Sequence, residues 1–218
     1  MRRVTVAILF LGLIAVVGGL EKADSARATR SGEVDVLLLV TNSYGANYNL
    51  IRDVMEKYGW NLTTVGVTDT VTQCYYGGPI IVDLTVSEVT DVSEYDVLAI
   101  MPATGWRGNS HDQLLGSPEA IALVAQAVQE DLLVAAFCGG TRVLAAADVI
   151  NGVHVTGHDH ETYLAEYAAA GAIFVGNPAP PTQDGNIVTC VRNQTNSALV
   201  CEIMRTTIDS LRTARSLK

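Results

Sequence analysis

One stretch limits what this chain can fold into more than any other: Leu132-Leu-Val-Ala-Ala-Phe-Cys138-Gly-Gly-Thr-Arg-Val-Leu-Ala145. Leu132 to Phe137 is an unbroken apolar run, the pattern of a strand buried on both faces. From Thr141 through Val143, Leu144 and Ala147 the spacing turns helical. Between the two stand a cysteine and two glycines. The reading is strand, sharp turn, helix start, with a thiol at the apex. A nucleophile elbow has this layout, and glycine beside the nucleophile removes Cβ clashes at the turn. The helix N-terminus adds unpaired N–H groups and a partial positive charge next to the sulfur, which favours thiolate. A cysteine taken alone is more often a small apolar core residue. Its setting makes Cys138 the candidate nucleophile.

The rest of the chain supplies a sheet for that strand. Val34 to Thr41 predicts a buried strand. Asn47 to Tyr58 predicts an amphipathic helix with Leu50, Ile51, Val54 and Met55 on one face, ended by Gly59. Asn61 to Val67 predicts a second strand. This βαβ opening implies a parallel sheet with right-handed crossovers. Thr68 to Val92 is less regular, with an apolar stretch at Ile80-Ile-Val, and reads as fold and dimer surface rather than a metal site. Val97 to Met101 is a strand running into Pro102-Ala-Thr-Gly-Trp-Arg-Gly-Asn. Ser117 to Glu130 is a helix with Ser117 as N-cap and Pro118 at its first position. Past the elbow come a short strand at Val153–Thr156, a helix at Glu161–Ala170, a weak strand at Gly171–Asn177 and a core strand at Ile187–Cys190. A closing helix at Ser197–Leu211 turns Leu199, Val200, Ile203 and Met204 inward. Sites in open α/β sheets lie at the carboxyl ends of strands. Asn42–Asn47, Pro102–Asn109 and Cys138 all arrive there.

The N-terminus stands apart. Arg2-Arg3 precede Val4–Leu20, which carries no charge, and small and polar residues follow. A basic start, an apolar run and an Ala26-Arg-Ala28 pattern read as a secretory signal. The apolar run is also just long enough to be an uncleaved membrane anchor. Residues 1–33 are therefore signal or anchor plus linker, and 34–218 a single domain outside the cytoplasm. The net charge of -9 argues against a nucleic-acid surface. Export permits one disulfide among Cys74, Cys190 and Cys201, and Cys190 and Cys201 bracket a loop and could meet. No spacing resembles a zinc site.

Residues 34 to about 211 resemble the ThiJ/PfpI (DJ-one-like) superfamily, of the class I glutamine amidotransferase-like fold. The Ala-Phe-Cys138-Gly-Gly-Thr-Arg elbow carries most of the resemblance. Val153-His-Val-Thr-Gly-His158, the strand–Pro102–loop and the Asp53-Val-Met55 helix support it. The resemblance implies a flavodoxin-like three-layer α/β sandwich with a mostly parallel central sheet, often dimeric, with no general metal or organic cofactor. It implies action on a small carbonyl or amide: aldehyde or glyoxal conversion, deglycation or amide hydrolysis. Cys138 would be the nucleophile. The Gly139 N–H, with one from Ala103 or Thr104, would form the oxyanion pocket. His158 would move protons.

Two departures from the family pattern matter. Many members place a glutamate against the thiol near the start of the first helix; here Asn47 stands there, able to donate a hydrogen bond but not to exchange a proton. Protease-like members put a histidine directly after the cysteine; here it is Gly139. Trp106 and Arg107 are candidates for the mouth of the pocket. His160 and His111 read as ordinary loop residues. The alternatives to an enzyme are a non-catalytic binding or stress-protective module, or a redox sensor in which another cysteine resolves oxidised Cys138.

Overall fold

The computed structural model describes residues 33–45, 47–72, 78–104, 110–177, 179–191 and 193–215. A seven-stranded sheet forms its middle layer, in the order β10-β11-β7-β6-β1-β2-β5. The strands are β1 (Asp35–Leu39), β2 (Asn61–Gly66), β5 (Leu84–Thr85), β6 (Val97–Ile100), β7 (Leu133–Phe137), β10 (Thr182–Asp184) and β11 (Ile187–Cys190). All neighbours are parallel except the β10–β11 pair at one edge. β1, β6 and β7 are the continuous apolar runs of the sequence, and every residue of β7 is buried, as a strand covered on both faces requires.

Alternating side chains feed two cores. Val36, Leu38, Ala99, Met101, Leu133, Ala135, Phe137 and Cys190 face α1 (Asn47–Lys57) and the closing helix. Leu37, Leu39, Leu98, Ile100, Val134 and Ala136 face the other way. There they meet α2 (Asp112–Leu115), α3 (Pro118–Gln129) and α4 (Thr141–Ala146) through Leu114, Leu123, Val124, Val143 and Leu144. The result is the three-layer sandwich expected, with the elbow at the carboxyl end of a central strand. Ser117 caps α3, its Oγ accepting from the Ala120 N–H at 3.2 Å, with Pro118 at the first helical position. α5 (Glu161–Ala169) connects the two strands of a small parallel pair, β8 (His154–Val155) with β9 (Ile173–Phe174).

Within the less regular stretch Thr68–Val92, β3 (Thr70–Val71) and β4 (Ile80–Ile81) form an antiparallel pair, and β5 extends the main sheet. Two readings of the closing helix need correction. The closing helix α6 runs Gln194–Arg215, longer at both ends than the apolar pattern suggested. Its buried stripe is Val200, Cys201, Met204 and Ile208, while Leu199 is 43% exposed. Counting cysteine as apolar would have placed that stripe correctly.

Cys190 and Cys201 share a core but remain free thiols, and Cys74 lies outside the described residues. Cys201 Sγ donates instead to the Ser197 carbonyl at 3.4 Å. The segment read as signal or anchor also lies outside the described residues. Among those described, no helix is long and apolar enough to cross a membrane.

Candidate functional site

β7 delivers Cys138 to a single 3₁₀ turn, Cys138–Gly140, that runs straight into α4. Cys138 takes φ +60°. That left-handed conformation crowds Cβ against the following carbonyl in any residue but glycine. The side chain is 5% exposed, so the thiol lies at the floor of the carboxyl end of the sheet. Gly139 is required by packing: a Cβ there would collide with Ser110 Oγ and come 3.0 Å from His111 Nδ1.

Those two neighbours belong to a polar cluster on the β6 side of the elbow. The Ser110 hydroxyl bonds the Tyr163 hydroxyl at 2.7 Å, and the Ser110 N–H donates to the same oxygen at 3.1 Å. His111 is 2% exposed, with φ +68°. Its Nε2–H donates to the Met101 carbonyl at 2.9 Å, which fixes the tautomer and leaves Nδ1 a bare acceptor. Burial, helped by the charge of Arg142, pushes its pKa down to about 4.

Arg142 holds the cluster shut. Its guanidinium donates to both carboxylate oxygens of Glu166, at 2.6 and 2.7 Å, to Asp112 at 3.0 Å and to the Ser110 carbonyl. It also lies over the Tyr163 ring, 4.5 Å from the centroid. Burial alone would weaken its charge; the Glu166 and Asp112 bonds outweigh burial and hold its pKa above the ordinary guanidinium value. None of this network was singled out from the sequence. The available signal was Arg142 itself, a cation between glycines and Val143-Leu144 in an otherwise apolar helix, which demands an acidic partner.

The predicted site residues fall differently. His158 is exposed, its ring edge-on to Tyr163 at 5.7 Å and its Nδ1 3.9 Å from Asp159. His160 caps α5 by accepting from the Thr162 N–H at 3.3 Å. Ala103 pairs with Tyr44, and the Thr104 N–H donates to the Ser43 carbonyl at 2.7 Å. An oxyanion bond from Thr104 would therefore require release of Ser43. Asn47 is buried, and its amide donates to Ser197 Oγ on α6 at 3.1 Å. That bond ties α1 to α6. Trp106 and Arg107 lie outside the described residues.

On the far side of the elbow, β11 aligns Cys190 with Phe137, and the Cys138 N–H bonds the Cys190 sulfur. Burial raises the Cys190 thiol above its ordinary pKa and pushes the Cys201 thiol up to about 12. Both are neutral thiols in this state. Among the described residues, no group of three or more His, Cys, Asp and Glu side chains is placed to hold a metal.

Comparison with known proteins agrees with this architecture. A two-domain protein from Anabaena variabilis, containing DJ-1/ThiJ/PfpI-like and ferritin-like domains, superposes with a TM-score of 0.71 at 20% identity. The match covers 81% of this chain but 48% of that one, so this chain spans about half of that protein. A ThiJ/PfpI domain protein from Brachyspira murdochii gives a TM-score of 0.68 at 18% identity, over 82% and 96% of the two chains. DJ-1 of Schizosaccharomyces pombe gives 0.66 at 14%, over 84% and 97%. These likenesses show the fold. No curated protein sequence matches. The sequence model of the DJ-1/PfpI family matches residues 34–206, from the first strand into the closing helix. The chain belongs to the DJ-1/PfpI family.

Proposed function

We propose that Cys138 works as a thiolate nucleophile on a small carbonyl or amide, in glyoxalase-, deglycase- or amidase-type chemistry. The observation that carries this reading is the backbone of Cys138, held at φ +60° at the head of α4. Glycine would suit that backbone better, so a side chain is kept there against a conformational cost. The sulfur would attack the carbonyl carbon, forming a C–S bond as the π electrons move to oxygen. The Gly139 N–H, following the nucleophile, would bond that oxyanion. An aldehyde gives a hemithioacetal. An amide expels its amine, protonated by His158, and leaves a thioester for water to hydrolyse. His158 suits proton exchange because its side chain is 50% exposed, whereas His111 is sealed in.

The test is the pH dependence of Cys138 alkylation in the full chain, with Cys138→Ala as control for the other thiols. An apparent pKa well below the unperturbed value of about 8.5 supports the reading and justifies a screen of glyoxals and small amides. A thiol that is inert, or that titrates near that value, overturns it.

A second reading rests on Cys190. Cys138 lies one residue beyond the Phe137–Cys190 register pair. The Cys138 N–H on the Cys190 sulfur sets the two cysteines side by side. Peroxide would oxidise the Cys138 thiolate to sulfenic acid, and condensation with the Cys190 thiol would release water and form the disulfide. Peptide mapping after mild peroxide treatment decides between this and a terminal sulfinate on Cys138.

We further propose that residues 1–33 direct the domain out of the cytoplasm and that the domain pairs as a homodimer. A mature N-terminus just past Ala28 means a cleaved signal, and full-length chain in the membrane fraction means an anchor. Full-length soluble protein in the cytoplasm overturns export. A monomer by sedimentation overturns the dimer.

A further inference from the structure

We propose that the Tyr167 hydroxyl is the hydrogen-bond donor that holds negative charge on the Cys138 sulfur, a positioning role built into α5. The inference rests on the thiolate reading above.

Tyr167 is 1% exposed, and its hydroxyl has no hydrogen-bond partner. A buried phenol oxygen normally finds one, and leaving it bare costs stability. Tyr163, one helical turn earlier, shows the ordinary arrangement with its hydroxyl on Ser110. The bare hydroxyl of Tyr167 cannot escape to solvent, because its ring stacks on Phe174 with centroids 5.8 Å apart and planes at 27°.

Its position is also defined. A Cβ on Gly157 would come 2.8 Å from the Tyr167 hydroxyl and 3.1 Å from Thr141 Oγ1. The two oxygens therefore converge on one glycine, and the absence of a side chain at 157 makes room for them. Thr141 is three residues past Cys138, on the turn that opens α4. Its own hydrogen goes to the Thr156 carbonyl at 3.1 Å, and its oxygen lies near the Tyr167 hydroxyl but outside hydrogen-bond geometry, so the contact at rest is a weak one. Burial first, and then the charge of an ionised Cys138 ahead of Tyr163 and Glu166, raise the Tyr167 pKa well above its ordinary value. Tyr167 thus keeps its proton, and the charge of an ionised Cys138 acts on it.

A neutral thiol is a poor acceptor and a thiolate a good one. A donor left bare in the resting state and engaged only by the anion stabilises the anion selectively. That difference is what lowers a thiol's pKa.

The experiment compares Cys138 alkylation against pH in the full-length wild type, Tyr167→Phe, and a protein carrying 3-fluorotyrosine at 167, with thermal unfolding of each. Phenylalanine keeps the ring and its stacking. It is expected to leave about tenfold less thiolate at a given pH below the titration midpoint. Its unfolding midpoint should equal or exceed that of wild type, because the deleted hydroxyl had no partner. Fluorotyrosine, a stronger donor of nearly the same shape, should move the thiol titration the opposite way, and it answers the question even if the phenylalanine protein folds poorly. A wild-type thiol titrating low with both variants unchanged overturns this inference alone. A wild-type thiol titrating near 8.5 overturns the thiolate reading and this inference with it. A lower unfolding midpoint for Tyr167→Phe would show that the hydroxyl already has a partner, and also overturns the inference.

Discussion

His111 and His158 flank Tyr163, one through its neighbour Ser110 and the other by its own ring. Each came from a short polar segment that reads as loop. His158 stayed at the surface, facing Asp159 across 3.9 Å. His111 is enclosed, with one ring nitrogen on the Met101 carbonyl and the other bare against Gly139. The difference lies in Arg142, which pulls Ser110 and Asp112 onto the elbow from one side and Glu166 from the other. A clamp of buried charge turns a loop histidine into part of the core; without one, the histidine stays free to trade protons with solvent.

The comparison breaks first at the clamp. Arg142→Met should cost about 3 kcal/mol in urea unfolding, at the low end for a broken buried ion pair because Glu166 is partly exposed. An effect below 1 kcal/mol would mean that the cluster is a surface ornament. It should also release His111 toward an ordinary pKa, which histidine NMR titration would show.

The next effect is on pH. The folded His111 protonates only near pH 4, whereas its unfolded form does so near the ordinary value of about 6.5. Above both values neither state is charged, and this group contributes nothing. As pH falls from 6.5 toward 4 the unfolded chain takes the proton and the native one refuses it, so stability falls. The loss should reach about 2 to 3 kcal/mol. His111→Gln should show a correspondingly shallower decline when unfolding is followed at pH 7, 5.5 and 4.5. Equal slopes in both proteins would place a charged His111 in the native state and end the contrast with His158.

The smallest effect sharpens the other half. His158→Gln should change unfolding free energy by no more than about 0.5 kcal/mol, as for most exposed substitutions. Turnover of a small amide by Cys138 should fall, because the leaving amine loses the group that protonates it. If both readouts stay unchanged, His158 is a bystander.

Local signals account for what the sequence revealed. The runs at 132–137 and 97–101 are strands because nothing in them tolerates water, and 187–190 follows them with Thr189 as its one polar residue, its hydroxyl accepting from the Thr156 N–H. The cysteine–glycine–glycine turn is legible because the strand end, the left-handed backbone and the helix start all lie within a few residues. The burial of His111 was not legible. It depends on Glu166, far along the chain, meeting Arg142, and no window around Asn-Ser-His-Asp contains that fact. The phase of α6 was misread for a simpler reason: Leu199 is apolar, but the stripe that meets the sheet is centred on Cys201 and Met204. Asn47 was placed correctly at the head of α1. Its bond to Ser197 belongs to the contact between two helices some 150 residues apart.

The left-handed backbone of Cys138 carries an evolutionary corollary. Glycine at that position would relieve the Cβ crowding and should make the fold more stable by about 1 kcal/mol. Drift alone would therefore favour losing the thiol, since the first step away from cysteine runs downhill for folding. A lineage released from the need for sulfur would be expected to show glycine here early, with Gly139 and the Arg142 clamp still intact. Cysteine at this residue marks a chain in which that downhill step has not been taken.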